Sequence, residues 1–259
     1  MGHIRLGRLP KTKPWDSVFD VLKGPGLDAA KLARATALSA QRQFSSLEGD
    51  RGVNYCFWVL VRIATAAREP DFLGELTRLG VRTHGATSGL GFVHEVSKTV
   101  EKGLEKRTQP SVFARMAQLS LREVLSRNIA EPSRTLFGTG LVDVQAACRA
   151  MSTRQQFGRL AREFFAGLMG RSIRYVVDKE ISNHIGPGAL VGSPAHILEF
   201  YQSLDRYCRE SSRILEEFAG GWFSKNNWET SRDIPEEAAS GFTAYALQKI
   251  QMELAEAKR

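Results

Sequence analysis

The chain has 259 residues, enough to bury a full hydrophobic core, and its 42% hydrophobic and 25% charged content is ordinary for a globular protein. The formal net charge is +8, but half of that excess falls in residues 1–14, where Arg5, Arg8, Lys11 and Lys13 occur without an acid, so the rest is only mildly basic. No run of about 18 apolar residues offers a membrane span, and no apolar segment follows the basic N-terminus as a secretory signal requires. Cys56, Cys148 and Cys208 are odd in number and far apart, which fits neither a disulfide framework nor a zinc site. A cytoplasmic protein with buried cysteines is expected.

Residues 1–14 read as a basic extended arm, held open by two prolines, in which Ile4, Leu6 and Leu9 alternate with the cations. A short amphipathic helix is expected from Trp15 to Lys23, stopped by Gly24-Pro25-Gly26, and a longer one from Asp28 to about Leu47. Gly49 to Gly52 reads as a turn. Val53 to Ala67 is apolar nearly all round and is expected to be a core helix, since a segment apolar on every side is buried on every side. Further helices are expected from Pro70 to Leu79, Phe92 to Arg107, Pro110 to Ala130 and Leu141 to Ala150, with a linker between two lobes at residues 131–140. That divides the chain into an N-terminal lobe, 15–130, and a C-terminal lobe, 141–259.

The longest pattern, Ser152 to Gly186, predicts the central helix. Ser152 and Gln155 suit a capping box, Phe157, Leu160, Ala161, Phe164, Leu168 and Met169 share one stripe, and Gly186-Pro187 ends it. Gly167 and Gly170 interrupt it, each costing about 1 kcal/mol relative to Ala, so continuity there stays open. Arg154, Arg159, Arg162, Arg171, Arg174 and Lys179 read as a solvated face relieved by Glu163, Asp178 and Glu180. A helix from Ala195 to Ala219 and a last one from Asp233 complete the pattern. The expected fold is all-α, an irregular array of about eight to ten helices around 152–185.

Two short stretches resemble the short-chain dehydrogenases: Gly85-Ala86-Thr87-Ser88-Gly89-Leu90-Gly91 is similar to that family's glycine motif, and Tyr175 with Lys179 to its Tyr-x-x-x-Lys pair. The resemblance implies a cofactor pyrophosphate on the glycines and proton transfer by Tyr175 and Lys179. It spans twelve residues. A phosphate-binding glycine loop must leave a buried strand, whereas some eighty helical residues precede this one, so the match is read as coincidental and the glycines as a loop capping the next helix. The five histidines show no ligand spacing, His184 and His196 merely flanking one loop, and neither a metal, a cofactor nor a catalytic residue is assigned.

The segment Gly220 to Glu229 is expected to be a loop, its two glycines ending the preceding helix in a left-handed cap. Trp222, Phe223, Lys225, Asn226, Asn227 and Trp228 form a candidate interaction loop, in which Trp222 is expected to be the anchor while Lys225, Asn227 and Trp228 face a partner or ligand. Arg5, Arg8, Lys11 and Lys13 are the candidate basic contacts. Helical chains without a catalytic constellation work mostly through surfaces, so a non-enzymatic subunit or adaptor with a protein partner is the first expectation. A nucleic-acid-associated protein is the second, and an enzyme of another class the third. The layout also resembles helical bacterial proteins of unassigned role, some from phage-defence gene clusters; this likeness carries no residue roles.

Overall fold

The computed structural model describes residues 17–18, 29–39, 47–85, 88–107, 111–132, 140–181 and 194–256. Among them the fold is all-α, with ten α-helices and no strand. The helices are α1 (Ala29–Ser39), α2 (Arg51–Ala66), α3 (Phe72–Arg78), α4 (Gly89–Arg107), α5 (Val112–Leu125), α6 (Leu141–Met151), α7 (Arg154–Ile181), α8 (Pro194–Ser211), α9 (Leu215–Glu229) and α10 (Glu236–Glu256). One π-helical turn, Ser126–Ala130, extends α5. The basic arm, most of the first short helix and the end of the central pattern beyond Ile181 lie outside the described residues.

Two helices carry the core. In α2, thirteen of sixteen residues are buried, as its all-round apolarity requires. It starts earlier than the turn at Gly49 to Gly52 suggests, because the Asp50 carboxylate accepts from the Gly52 and Val53 amides at 2.8 and 3.0 Å and so caps a helix that already includes Arg51. The other core helix, α7, runs unbroken through Gly167 and Gly170, with Phe164, Phe165, Leu168, Met169 and Ile173 fully buried around them. Burial of that many large side chains outweighs a glycine penalty of about 1 kcal/mol per site. The cap of α7 falls one residue later than the sequence suggests: Thr153, not Ser152, accepts from the Gln156 amide at 3.2 Å. Ser152 instead donates to the Arg149 carbonyl at 2.7 Å and closes α6.

Phe57 of α2 sits where the two meet, 5.2 to 6.2 Å from the rings of Phe157, Phe164 and Phe165 on α7 and 5.4 Å from Phe242 on α10. Buried residues from before and after the 131–140 segment thus belong to one core cluster. Around this centre α5 touches both α2 and α7, α10 lies on α2, and α8 and α9 lie on α7.

The C-terminal third departs from the expected pattern. The single helix ending at Ala219 is two helices, α8 and α9, and the break falls at residues 212–214. There the Ser212 hydroxyl bonds back to the Cys208 carbonyl at 2.7 Å, and the backbone tightens into three-residue turns from Arg213 to Glu210 and Leu215 to Ser212. Gly220 and Gly221 lie inside α9 and cap nothing. Their role is proximity. A Cβ on Gly220 would stand 2.5 Å from the Arg154 carbonyl oxygen, and one on Gly158 would overlap the Glu216 carbonyl, so α7 and α9 cross backbone to backbone. The sequence signal for a stop was therefore the signal for a close crossing.

Candidate functional site

That crossing sets the C-terminal half of α9 beside the start of α7. The stretch expected as a loop is helical, and its residues divide by helix face. Phe223 is buried and stacks on Phe157 at 3.8 Å between centroids. Trp222 packs on Phe242 at 4.8 Å and near Phe57, on the edge of the core. Asn226 bonds back to the Trp222 carbonyl, and Lys225 pairs with Glu229 along the surface. Trp228 has no such packing: it is 87% exposed, the most exposed large hydrophobic residue described. Helical periodicity explains the division, since Phe223 faces α7 and Trp228, five positions on, turns away from it.

Beneath Asn227 lies a cleft of about 210 Å³, lined by Ala64, Thr65, Arg68, Ser152, Arg154, Phe223, Ser224, Asn227 and Arg232. Its wall is built from the end of α2, the α6–α7 junction, the last turns of α9 and the segment after it. Three guanidinium groups line it and no carboxylate does. Arg68 is oriented by the Ser152 hydroxyl, which accepts from its Nε at 2.5 Å. Arg232 is set by the backbone: Ser231 and Arg232 take φ of 49° and 69°, a left-handed region costing about 1 kcal/mol or more for a non-glycine residue, and the Arg232 amide closes on the Asn227 carbonyl at 2.9 Å. Its guanidinium pairs with Glu69 at 3.1 Å outside the cleft lining. The Asn227 Oδ1 is buried and accepts no hydrogen bond. A second, wider concavity shares Asn227 and Arg232 and adds Trp228, Glu69 and Ser231.

The arginines farther along α7 behave differently. The solvated face expected of them is an inter-helix clamp: Arg162 bonds Glu216 at 2.9 Å and the Arg209 carbonyl at 3.0 Å, Arg171 bonds Glu123 at 2.5 Å and Ser120 at 3.1 Å, and Arg174 pairs with Asp205. The partners come from α5, α8 and α9, so no intrahelical spacing could reveal them. Arg171 and Arg174 line a second cleft of about 220 Å³ with Glu123, Glu163 and Asp205. Burial raises the Glu123 pKa, but the Arg171 hydrogen bond and the charges of Arg171, Arg127 and Arg209 outweigh it and hold the carboxyl below the ordinary glutamate value of 4.5.

The glycine motif shared with the short-chain dehydrogenases has no strand beneath it: Thr83–Gly85 is a 3₁₀ turn, Gly89 and Gly91 are helical, and the Ser88 hydroxyl accepts from the Gly91 amide at 3.0 Å as an ordinary cap. Residues 86–87 lie outside the described residues, as do His184 and the side chains of His196 and Lys179. Among the described residues no three His, Cys, Asp or Glu side chains group as a metal site would need. All three cysteines are free and buried, and burial pushes their thiols upward, that of Cys208 to about 12, which keeps them protonated and unreactive. Among the described residues no helix is long and apolar enough to cross a membrane. The candidate contacts Arg5, Arg8, Lys11 and Lys13 lie outside the described residues. No family model matches the chain, and neither a curated protein nor a solved structure matches it.

Sequence reasoning reached Asn227 and Trp228 through the density of aromatics and amides. It missed Arg68 and Ser152, which come from segments more than seventy positions away and reach Asn227 only through tertiary packing, and Arg232, which the turn after α9 brings back toward Asn227.

Proposed function

We propose that the chain is a non-enzymatic subunit or adaptor that docks a protein partner on the surface around Trp228. The observation that carries this is an indole 87% exposed on a helix whose neighbouring aromatics, Trp222 and Phe223, are packed inward. Exposing a tryptophan forgoes a large apolar burial, and tryptophan and arginine are both enriched at binding hot spots. Arg232 and Asn227 share its concavity and supply the polar rim. The favoured partner surface is apolar at its centre and polar at its edge.

The test is purification of the tagged chain from its own source, wild type against Trp228→Ala. A polypeptide retained at fixed stoichiometry by the wild type and lost by the variant, whose melting temperature is unchanged, is the expected result. Equal retention by both overturns the reading. A variant that unfolds does so too, since it would make the indole part of the core.

A second reading, a nucleic-acid-associated protein, is favoured by one observation: the exposed Trp228 ring shares a concavity with Arg232, which also lines the neighbouring cleft with Arg68 and Arg154, and an aromatic ring beside guanidiniums is the combination that stacks bases and contacts phosphates. It requires salt-dependent binding of single-stranded oligonucleotide that falls in Trp228→Ala.

A further inference from the structure

The geometry points to a phosphate-binding site in the cleft between Arg68, Arg154 and Arg232, taking a phosphate dianion with an O–H donor beside it: hydrogen phosphate itself, or the phosphate of a small sugar ester. The site goes beyond partner docking, because it uses the arginines and Asn227 and does not need the indole.

Like charges gathered without a counter-charge repel one another, and folded proteins normally interleave acids, as the cleft around Arg171 and Arg174 does. Here, among the described residues, Arg154 has no ion pair, the Arg68 guanidinium is bound to a neutral hydroxyl, and Arg232 alone of the three has a carboxylate, outside the lining. Because Ser152 occupies the Nε of Arg68, both terminal nitrogens of that guanidinium remain to donate into the cleft. Guanidinium forks match phosphate oxygens, and a dianion with three terminal oxygens can serve three of them, where a phosphodiester offers two. The first turn of the 28-residue α7 begins at Arg154, and its partial positive charge adds to theirs.

Asn227 decides which anion. Its Oδ1 is a buried acceptor without a donor, in a cleft whose charged side chains are all arginines. Sulfate cannot supply a proton to it. Hydrogen phosphate can, and so can the hydroxyl next to the phosphate of a sugar.

Calorimetric titration of the full chain with inorganic phosphate, ribose 5-phosphate, sulfate and an unphosphorylated oligothymidylate tests this. Phosphate or ribose 5-phosphate should bind at least about tenfold more tightly than sulfate, since the acceptor is left unpaired by sulfate. The tighter of the two ligands identifies the free ion or the ester as the source. Arg68→Ala and Arg154→Ala should each weaken binding roughly tenfold to a hundredfold, both being exposed positions at which folding is retained. Asn227→Ala should abolish the preference over sulfate while Trp228→Ala leaves phosphate affinity unchanged, which separates this site from the docking reading. Absence of binding by both phosphates, undiminished binding by the arginine variants, or sulfate binding as well as phosphate overturns the proposal. Oligothymidylate binding without phosphate binding also overturns it, and assigns the arginines to a nucleic-acid strand.

Discussion

The two arginine-lined clefts are nearly equal in size, about 220 and 210 Å³, and both are walled by α7, yet they differ in what the arginines hold. In the middle of the helix, Arg171 and Arg174 are tied to Glu123 on α5 and Asp205 on α8, and acids line the cleft between them. At the start of the helix, Arg154 joins Arg68 and Arg232 with no lining acid. Residue type is the same in both places; what separates a structural arginine from an available one is whether a neighbouring helix brings a carboxylate. Charge counted along one helix therefore says little about binding, and charge counted around one cleft says much.

The sharpest way to break the comparison is to force α7 away from α9, a helix that lines only one of the clefts. Gly158→Ala places a methyl group against the Glu216 carbonyl of α9, a backbone atom that cannot rotate aside. The expected cost is about 1–3 kcal/mol, read by denaturant unfolding, with loss of anion binding at Arg154. The ion pair of Arg171 with Glu123, on the far side of α7, should persist. Tolerance of alanine at full stability would show that α7 and α9 do not approach as closely as described.

A smaller effect is expected in the paired cleft. Arg171→Ala removes bonds to Glu123, Ser120 and the Gly167 carbonyl at once. The pair is partly exposed, 28% and 42% for the two side chains, so solvent screening limits the loss to about 1–2 kcal/mol of unfolding free energy. No change would mean that this arginine is as idle as Arg154.

How far the sequence exposed these features follows from their range. The all-α class, the buried second helix and the core stripe of α7 were legible because periodicity is local. The crossing at Gly158 and Gly220 was not, since a glycine chosen for contact and one chosen for a cap are the same letter. Within the candidate segment, the helix put Trp222 and Trp228 on different sides, a division that a loop would not impose. The clamp formed by Arg162, Arg171 and Arg174 depends on α5, α8 and α9, and pairing over 31 to 54 positions leaves no spacing to read.

The pH response should also separate the clefts. Glu123 has a folded pKa below its unfolded value, so its contribution to stability is fully present above the ordinary glutamate value of 4.5 and is lost as pH falls through the lower, folded value. Glu123→Gln should flatten the acid limb of a stability profile between those two points. The group is 42% exposed, so the change is below about 1 kcal/mol. An identical acid limb in wild type and variant would show that Arg171 and Arg127 do not hold this carboxylate.

The smallest expected effect is the most discriminating. Arg154→Ala removes an exposed cation that has no ion pair among the described residues and stands near two others, so the folded state loses repulsion and no described salt bridge. Surface substitutions of this kind fall within about 0.5 kcal/mol of neutral, and here the sign should be stabilising at low ionic strength. Adding salt screens the repulsion in the wild type and should close the gap between the two proteins, a trend opposite to that of Arg171→Ala, where salt weakens an attraction. A destabilised Arg154→Ala variant would mean that the guanidinium already has an internal partner, and the arginines at the start of α7 would then be structural like those at its middle.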